Sequence, residues 1–222
     1  MTNEEILAKQ RVDMVRNQLA ARGIVDTRVV AAMRDVPRHL FVPAQEQNRA
    51  YEDSPLPIGY GQTISQPYIV AYMLQSLSLS GKEKTLEIGT GSGYQAALLG
   101  KLCKEVHTIE RHATLVEGAK KVLSELGFQN VQIHQGDGTK GLRKQAPFDA
   151  VIVAAGAPVV PQPLLDQLAE GGRLIMPVGD SEGQRLQFWV KRNSGFHHEE
   201  LVAVAFVPLI GEHGWPDDSG FP

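Results

Sequence analysis

The stretch Leu86-Glu87-Ile88-Gly89-Thr90-Gly91-Ser92-Gly93-Tyr94 runs from an apolar strand into a turn of alternating glycines and on into a helix. Glycines there let main-chain N–H groups and a helix N-terminus approach a ligand closely, and they favour an anionic group. Taken alone, such a turn fits any βα unit, so its surroundings decide what it means. From Lys84 onward, short β-branched or apolar runs alternate with helical stretches, which is the pattern of βα units around a parallel sheet. The runs place strands at Thr85 to Ile88, Val106 to Glu110, Val131 to Gln135, Ala150 to Ala154 and Leu174 to Val178, with helices at Tyr94 to Cys103, Thr114 to Leu126 and Pro163 to Ala169. Beyond Gly179, Leu186 to Lys191 and Leu201 to Val207 flank a polar turn at Asn193-Ser194-Gly195, which predicts an antiparallel pair on one sheet edge.

Ahead of the glycine turn the pattern differs. Val12, Val15 and Leu19 recur at helical spacing between Glu4 and Arg22, and Gly23 is placed to stop that helix. Asp26 caps a second short helix carrying Val29, Val30 and Met33, which must end before Pro37. From Pro37 to Gln66 there is no clear period, and Pro43, Pro55, Pro57, Gly59 and Gly61 point to a long ordered loop with short helical turns, a kind of segment usually tied to function. The expected fold is α/β: a doubly wound, mostly parallel sheet with an antiparallel C-terminal strand pair and an N-terminal helical and loop extension. We expect one domain over 1–222, with helices and loop in 1–80, the βα core in 81–180, the antiparallel strands in 181–210 and a tail in 211–222.

Composition narrows the function classes. The 222 residues are 42% hydrophobic and 21% charged, close to globular averages, so disordered or fibrous classes are excluded. A net charge of -3 supplies no cationic field for nucleic acid or anionic membranes. Cys103 is the only cysteine, which excludes an intrachain disulfide framework and cysteine-based zinc or iron-sulfur sites. Met1 to Arg11 carries Glu4, Glu5, Lys9 and Arg11 and lacks the apolar run of a secretory leader; Ala150 to Val160, the longest apolar stretch, is broken by Gly156 and Pro158. A cytoplasmic protein is expected, with no nucleic acid, membrane or metal partner.

Two further motifs fall at the ends of successive strands, the crevice where open α/β sheets bind ligands. Glu110 ends the second strand, where an acidic side chain can accept both hydroxyls of a ribose. Gly136-Asp137-Gly138 ends the third and sets a carboxylate between glycines, able to accept from an adenine amino group while leaving room for the ring. The bland alternatives are a solvated strand-end charge and an ordinary turn. Together with the glycine turn, these residues argue for an adenosine-containing cofactor. Gly89-x-Gly91-x-Gly93 is not the G-x-G-x-x-G spacing of dinucleotide sites, and no Walker lysine follows.

E-x-G-x-G-x-G, an acid after the second strand and Gly-Asp after the third together resemble the class I methyltransferases that use S-adenosylmethionine, which implies a Rossmann-like sheet of that type. Ala154-Ala155-Gly156-Ala157-Pro158 stands where an amino-directed base methylase would carry N/D-P-P-Y/F, and Cys103 follows Leu102 in place of the Pro-Cys nucleophile of a C5-pyrimidine methylase. More restrictive are Val36-Pro37-Arg38-His39-Leu40-Phe41-Val42-Pro43 and Gly61-Gln62-Thr63-Ile64-Ser65-Gln66-Pro67, which resemble protein-L-isoaspartate O-methyltransferases. Leu56-Pro57-Ile58-Gly59, Glu170-Gly171-Gly172, Pro177-Val178-Gly179 and Phe206-Val207-Pro208-Leu209 extend the likeness from about Arg11 to Leu209.

That resemblance implies methyl transfer from S-adenosyl-L-methionine to the α-carboxylate of L-isoaspartyl residues in damaged proteins and peptides, with S-adenosyl-L-homocysteine as coproduct; the ester then closes to a succinimide. A carboxylate with a pKa near 4 is already ionised at neutral pH, so no general base is required. The resemblance puts Ser65 in the active-site serine position, orienting the substrate carboxylate. It implies cofactor contacts from Thr63, Ile64, Ser65, Tyr68, Glu87, Gly89, Thr90, Gly91, Gly93, Tyr94, Glu110, Arg111, Gly136, Asp137 and Gly138, and substrate contacts from Pro57, Ile58, Ser65, Val207 and Pro208. Tyr68 stands where many relatives carry histidine. The alternatives are a class I methyltransferase acting on another small carboxylate or amine, a cofactor-binding but inactive module and, last, a nicotinamide-dependent oxidoreductase; a monomer is expected. His197-His198 reads as part of a surface turn, Trp189 as core, and Met14, Met33 and Met73 as helix packing; His39 and Phe41 either line the substrate loop or pack.

Overall fold

Thr2 and Glu5 open the first helix, α1 (Asn3–Met14), with a reciprocal cap: the Thr2 hydroxyl accepts from the Glu5 N–H, and the Glu5 carboxylate accepts from the Thr2 N–H. The computed structural model describes residues 2–180, 182–193 and 195–217; Met1, Ser194 of the expected polar turn and residues 218–222 of the expected tail lie outside the described residues. The expected single helix from Glu4 to Arg22 changes pitch at Val15, continuing as a π turn over Val15–Leu19 and a 3-10 turn over Ala20–Arg22 before Gly23 stops it at φ +88°. At about 3.6 residues per turn Val12 falls on the face of α1 away from Leu7 and Met14. Leu7, Met14, Val15 and Leu19 are buried, whereas Val12, expected in the stripe, is exposed.

Asp26 caps α2 (Thr27–Asp35) by accepting from the Arg28 and Val29 N–H groups, and the chain turns extended at Val36, before Pro37. The expected loop holds 3-10 turns at Arg38–Phe41 and Ala44–Arg49, together with a hairpin that the sequence pattern hides: β1 (Leu56–Gly59) against β2 (Gln62–Ile64). Gly59, Tyr60 and Gly61 all take positive φ, the conformation a tight hairpin turn demands. Pro57 masks the strand, since proline is tolerated only on an edge. Next, α3 (Pro67–Ser76) starts with proline at its first position, where a missing N–H costs nothing. Its Val70, Ala71, Met73 and Leu74 are buried, and so apolar a run shows no helical stripe by which to announce itself.

The core follows as β3 (Lys84–Ile88), α4 (Tyr94–Leu102), β4 (Glu105–Glu110), α5 (Ala113–Glu125), β5 (Val131–Gln135), β6 (Phe148–Val153), α6 (Gln162–Asp166), β7 (Leu168–Asp180), β8 (Gly183–Arg192) and β9 (Gly195–Val204). The seven-stranded sheet runs β5-β4-β3-β6-β7-β8-β9, parallel through β7 and antiparallel beyond it. α6 is shorter than expected and β7 starts earlier, because Leu168 already pairs with Phe148 across a register shift. β9 ends at Val204 instead of continuing to Val207. The departing chain pairs elsewhere: Gly156 N–H donates to Val207 O at 2.8 Å and Leu209 N–H to Gly156 O at 2.7 Å, so Val207 and Pro208 swing to the carboxyl ends of the parallel strands.

His197 and His198 lie on β9, not in a turn, and His198 stacks on Trp189 with ring centroids 4.3 Å apart. Trp189 packs half-buried against the apolar cluster on that side of the sheet, with the exposed His198 imidazole over its other face. Met14, Met33 and Met73 pack in the main apolar cluster. His39 and Phe41 are buried by packing, His39 bonded to the Tyr51 hydroxyl at 2.7 Å and Phe41 edge-on against Tyr94. Among the described residues, no helix is long and apolar enough to cross a membrane.

Candidate active site

A cavity opens at the carboxyl ends of β3, β4, β5 and β6, and the β1–β2 hairpin leans over it, with Tyr60 stacked on His112 just past β4. Of the residues expected at the cofactor, Thr63, Ile64, Ser65, Gly89, Thr90, Gly91, Tyr94, Glu110, Arg111, Gly136 and Gly138 line this cavity. The alternating glycines all have positive φ, so the loop curls around the cavity as no run of L side chains would without strain. Gly138 is needed for space: a Cβ there would stand 2.4 Å from Ile88 Cγ2.

Glu110 is no solvated charge. It is buried, and each carboxylate oxygen accepts one main-chain N–H, Oε2 from Gly91 and Oε1 from His112, both at 2.9 Å. Each oxygen keeps a second lone pair for a hydroxyl. The acid thus ties the glycine loop to the end of β4.

Glu87, by contrast, lies behind the wall. Its carboxyl is fully buried and accepts from the Thr108 hydroxyl, which in turn meets the Thr90 hydroxyl at 2.6 Å, and only Thr90 reaches the cavity. Burial pushes the Glu87 carboxyl up to about 8, so it is mostly protonated at neutral pH. Gly93 also stands back, closed in by Ala119 of α5.

Asp137 lines an adjoining chamber and not the main cavity. Its Oδ1 accepts from the Thr139 N–H and hydroxyl, and its Oδ2 accepts from the Glu212 N–H at 3.0 Å. Burial alone would raise this carboxyl, but these donors outweigh it and hold it below the ordinary aspartate range. The carboxylate faces an adjoining chamber that shares Arg111, Gly136 and Ile210 with the main cavity and is walled by Gly211, Trp215 and Asp217. Trp215 N–H and Gly211 N–H close this end segment on itself, while the Trp215 indole donates to Gly156 O and Arg111 pairs with Asp217 at 2.6 Å. No local pattern announces such long-range pairing.

Tyr68 does not line the cavity either: its ring lies 3.6 Å beneath the Arg22 guanidinium, on the side of α3 facing the N-terminal helix. Pro57 is exposed, and Ile58 abuts Gly91 without lining this cavity, so the hairpin's contribution here comes from Gln62 to Ser65. Ser65 stands where the main cavity meets a second groove formed by Pro55, Gln66, Ile69, Ala203 and Phe206; Thr63, Ala154 and Val207 share that boundary. Pro208 lines the main cavity alone of the two. Residues missing from the expected set include Gln62, Gln95, His112 and Ala154. Gln95 was legible in principle, because it follows Tyr94 in the first turn of a helix whose N-terminus faces the cavity. Its buried side chain also faces the Glu87 carboxyl, whose charged form it favours.

The model for the family described as Protein-L-isoaspartate(D-aspartate) O-methyltransferase (PCMT) matches residues 9–214. The chain belongs to this family. It is 55% identical over 207 residues to Protein-L-isoaspartate O-methyltransferase 1 of Syntrophobacter fumaroxidans, spanning 93% of this chain and 97% of the relative. It is 50% identical over 219 residues to the Protein-L-isoaspartate O-methyltransferase of Desulfosudis oleivorans, spanning 98% and 99%. Among solved structures, one named protein-L-isoaspartate O-methyltransferase superposes with a TM-score of 0.84 at 28% identity, over 92% of this chain and 67% of the other. A PCMT from Plasmodium falciparum in complex with S-adenosyl-L-homocysteine superposes with a TM-score of 0.79 at 28% identity, over 90% and 98%. Family members are thus alike in sequence and in the whole αβ framework that carries the cavity.

Proposed function

We infer that the chain is an S-adenosylmethionine-dependent protein-L-isoaspartate O-methyltransferase in which the cofactor cavity and the peptide groove meet at Ser65. The observation that carries this reading is their shared boundary of Thr63, Ser65, Ala154 and Val207. A cofactor behind that boundary and a carboxylate in front of it would face each other across one serine.

The residues present fit an adenosyl cofactor. Glu110 offers buried acceptor lone pairs for the ribose, Gly138 leaves flat space beside Ile88, and the first turn of α4 supplies main-chain donors for the amino-acid carboxylate. When bound, S-adenosylmethionine supplies an electrophilic methyl group on a sulfonium. The chain's own work is alignment. The Ser65 hydroxyl donates to one substrate carboxylate oxygen and turns the other toward the methyl carbon, while Val207 and Ile64 keep water from the line of attack. No residue needs to take a proton, because the acceptor is an anion and leaves as a neutral ester.

This reading predicts selectivity by geometry. An isoaspartyl linkage routes the main chain through the side-chain carboxyl and leaves the α-carboxylate close to the backbone; an aspartyl residue carries its carboxylate one methylene farther out. The expected result is base-labile methyl incorporation into an isoaspartyl peptide, then methanol release and gradual appearance of the aspartyl form. The aspartyl twin should react about a hundredfold more slowly. Equal methylation of both peptides, or a label stable to mild base, would instead favour a class I methyltransferase with another carboxylate or amine acceptor.

A further inference from the structure

Arg38 is a charge without a carboxylate partner in the interior. Its side chain is completely buried, and among the described residues it joins no ion pair. Nε donates to Ala50 O at 2.8 Å, Nη2 donates to Ser65 O at 2.9 Å, and Nη1 has no hydrogen-bond partner. The guanidinium stands 5.0 Å from the centroid of the Tyr94 ring, which lines the cofactor cavity, and the neutral Tyr94 hydroxyl is the nearest polar side chain that favours its charge. Burial lowers it to about 10, so it stays cationic at neutral pH. Asp53, which acts on it at longer range, is already paired with Arg22.

A lone buried cation is costly unless something repays it. Packing alone does not need this charge, since a neutral side chain of similar length would fill the space between Ala50 and Tyr94. Two carbonyls orient the guanidinium, and one of them belongs to the residue at the junction of the two cavities. That junction is where a substrate anion would arrive, and no lysine or arginine lines the groove in front of it.

We propose that Arg38 is the positioning residue of the active-site loop: its fork fixes the Ser65 carbonyl, and its charge is answered by the substrate carboxylate that Ser65 holds. The proposal rests on the reading of Ser65 given above. It assigns separate duties to shape and charge. The fork sets the direction of the Ser65 hydroxyl and so bears on turnover. The charge attracts the anionic substrate most, and the neutral ester least, so its loss falls on substrate KM and its presence favours release of the product.

Arg38→Lys keeps the charge and loses the two-pronged grip, whereas Arg38→Met keeps the length and loses both. With an isoaspartyl peptide, Arg38→Met should raise KM at least about tenfold while S-adenosylhomocysteine binds within about twofold of the parent protein. Arg38→Lys should hold KM within about threefold and lower kcat. Equal KM values in the two variants, or a peptide KM that stays at the parent value in a folded Arg38→Met protein, would overturn the proposal. Should Arg38→Met fail to fold, a folded Arg38→Lys protein with KM raised about tenfold overturns it equally. Amide hydrogen exchange over residues 62–68, measured without substrate, should quicken in both variants, and unchanged exchange counts against the fork. A parent protein that ignores the isoaspartyl peptide yet shows this exchange response would refute the reading of function and leave the fork's duty standing.

Discussion

Replacing Glu110 by alanine should cost the protein its cofactor affinity while leaving the fold in place. The carboxylate is buried, and each of its oxygens already takes one main-chain N–H at 2.9 Å, so the side chain is held in one orientation before any ligand arrives. A ribose diol would add one hydrogen bond to each oxygen, both to a charged acceptor. Charge-assisted bonds of this kind contribute about 1.5–3 kcal/mol, which corresponds to about ten- to hundredfold weaker binding. The released Gly91 and His112 N–H groups border the cavity and can turn to water, so the loss should appear in binding before stability. Isothermal titration with S-adenosylhomocysteine and with S-adenosylmethionine should show the same factor for both, because the ribose is common to them, and nicotinamide dinucleotide should bind to neither protein. Glu110→Gln, which keeps one acceptor oxygen but places an amide against a main-chain N–H, should fall between parent and alanine variant. An unchanged dissociation constant in a folded Glu110→Ala protein would remove this residue from the ribose site and with it much of the case for how the cavity holds adenosine.

Ser65→Ala should leave S-adenosylhomocysteine affinity unaltered and lower kcat/KM for an isoaspartyl peptide by roughly 1–3 kcal/mol, the worth of one orienting hydrogen bond; full activity would reduce Ser65 to a turn residue. Glu87 gives a pH signature. A carboxyl whose folded pKa of about 8 lies above its unfolded value of 4.5 binds more protons folded than unfolded in between, so its contribution is present at the acid side and is lost as pH rises through that window. Glu87→Gln should flatten the fall of Tm across the same window, and an identical pH slope in both proteins would show that Glu87 ionises freely. Gly138→Ala should destabilise the protein by about 1–3 kcal/mol in urea unfolding, because the new methyl meets Ile88 Cγ2 at 2.4 Å, and unchanged stability would mean that the cavity wall yields.

The sequence by itself determined the βα framework and the part of the site built at strand ends. Gly89, Gly91, Glu110 and Gly138 reach the cavity through their own backbone geometry or through the end of the strand that carries them, so a local pattern is enough to bring them there. The same locality explains the caps at Thr2 and Asp26 and the stop at Gly23. Only the tertiary structure decided what depends on distant pairing. The β1–β2 hairpin is hidden by Pro57, and α3 by an apolar run without a period. Asp137 reads as an adenine acceptor in isolation, and only the fold brings the N–H of Glu212, 75 residues away, onto its outer oxygen and turns it toward the adjoining chamber. Tyr68 sits beside the active-site loop in sequence, yet Arg22 draws its ring to the other side of α3. Arg38 carries the same lesson inward: the motif shows that an arginine follows Pro37, while its burial and its grip on Ser65 arise only where three separate segments meet. Local chemistry fixes backbone conformation within a few residues. The partner that satisfies a side chain's last hydrogen bond is chosen by packing, and packing is a property of the whole fold.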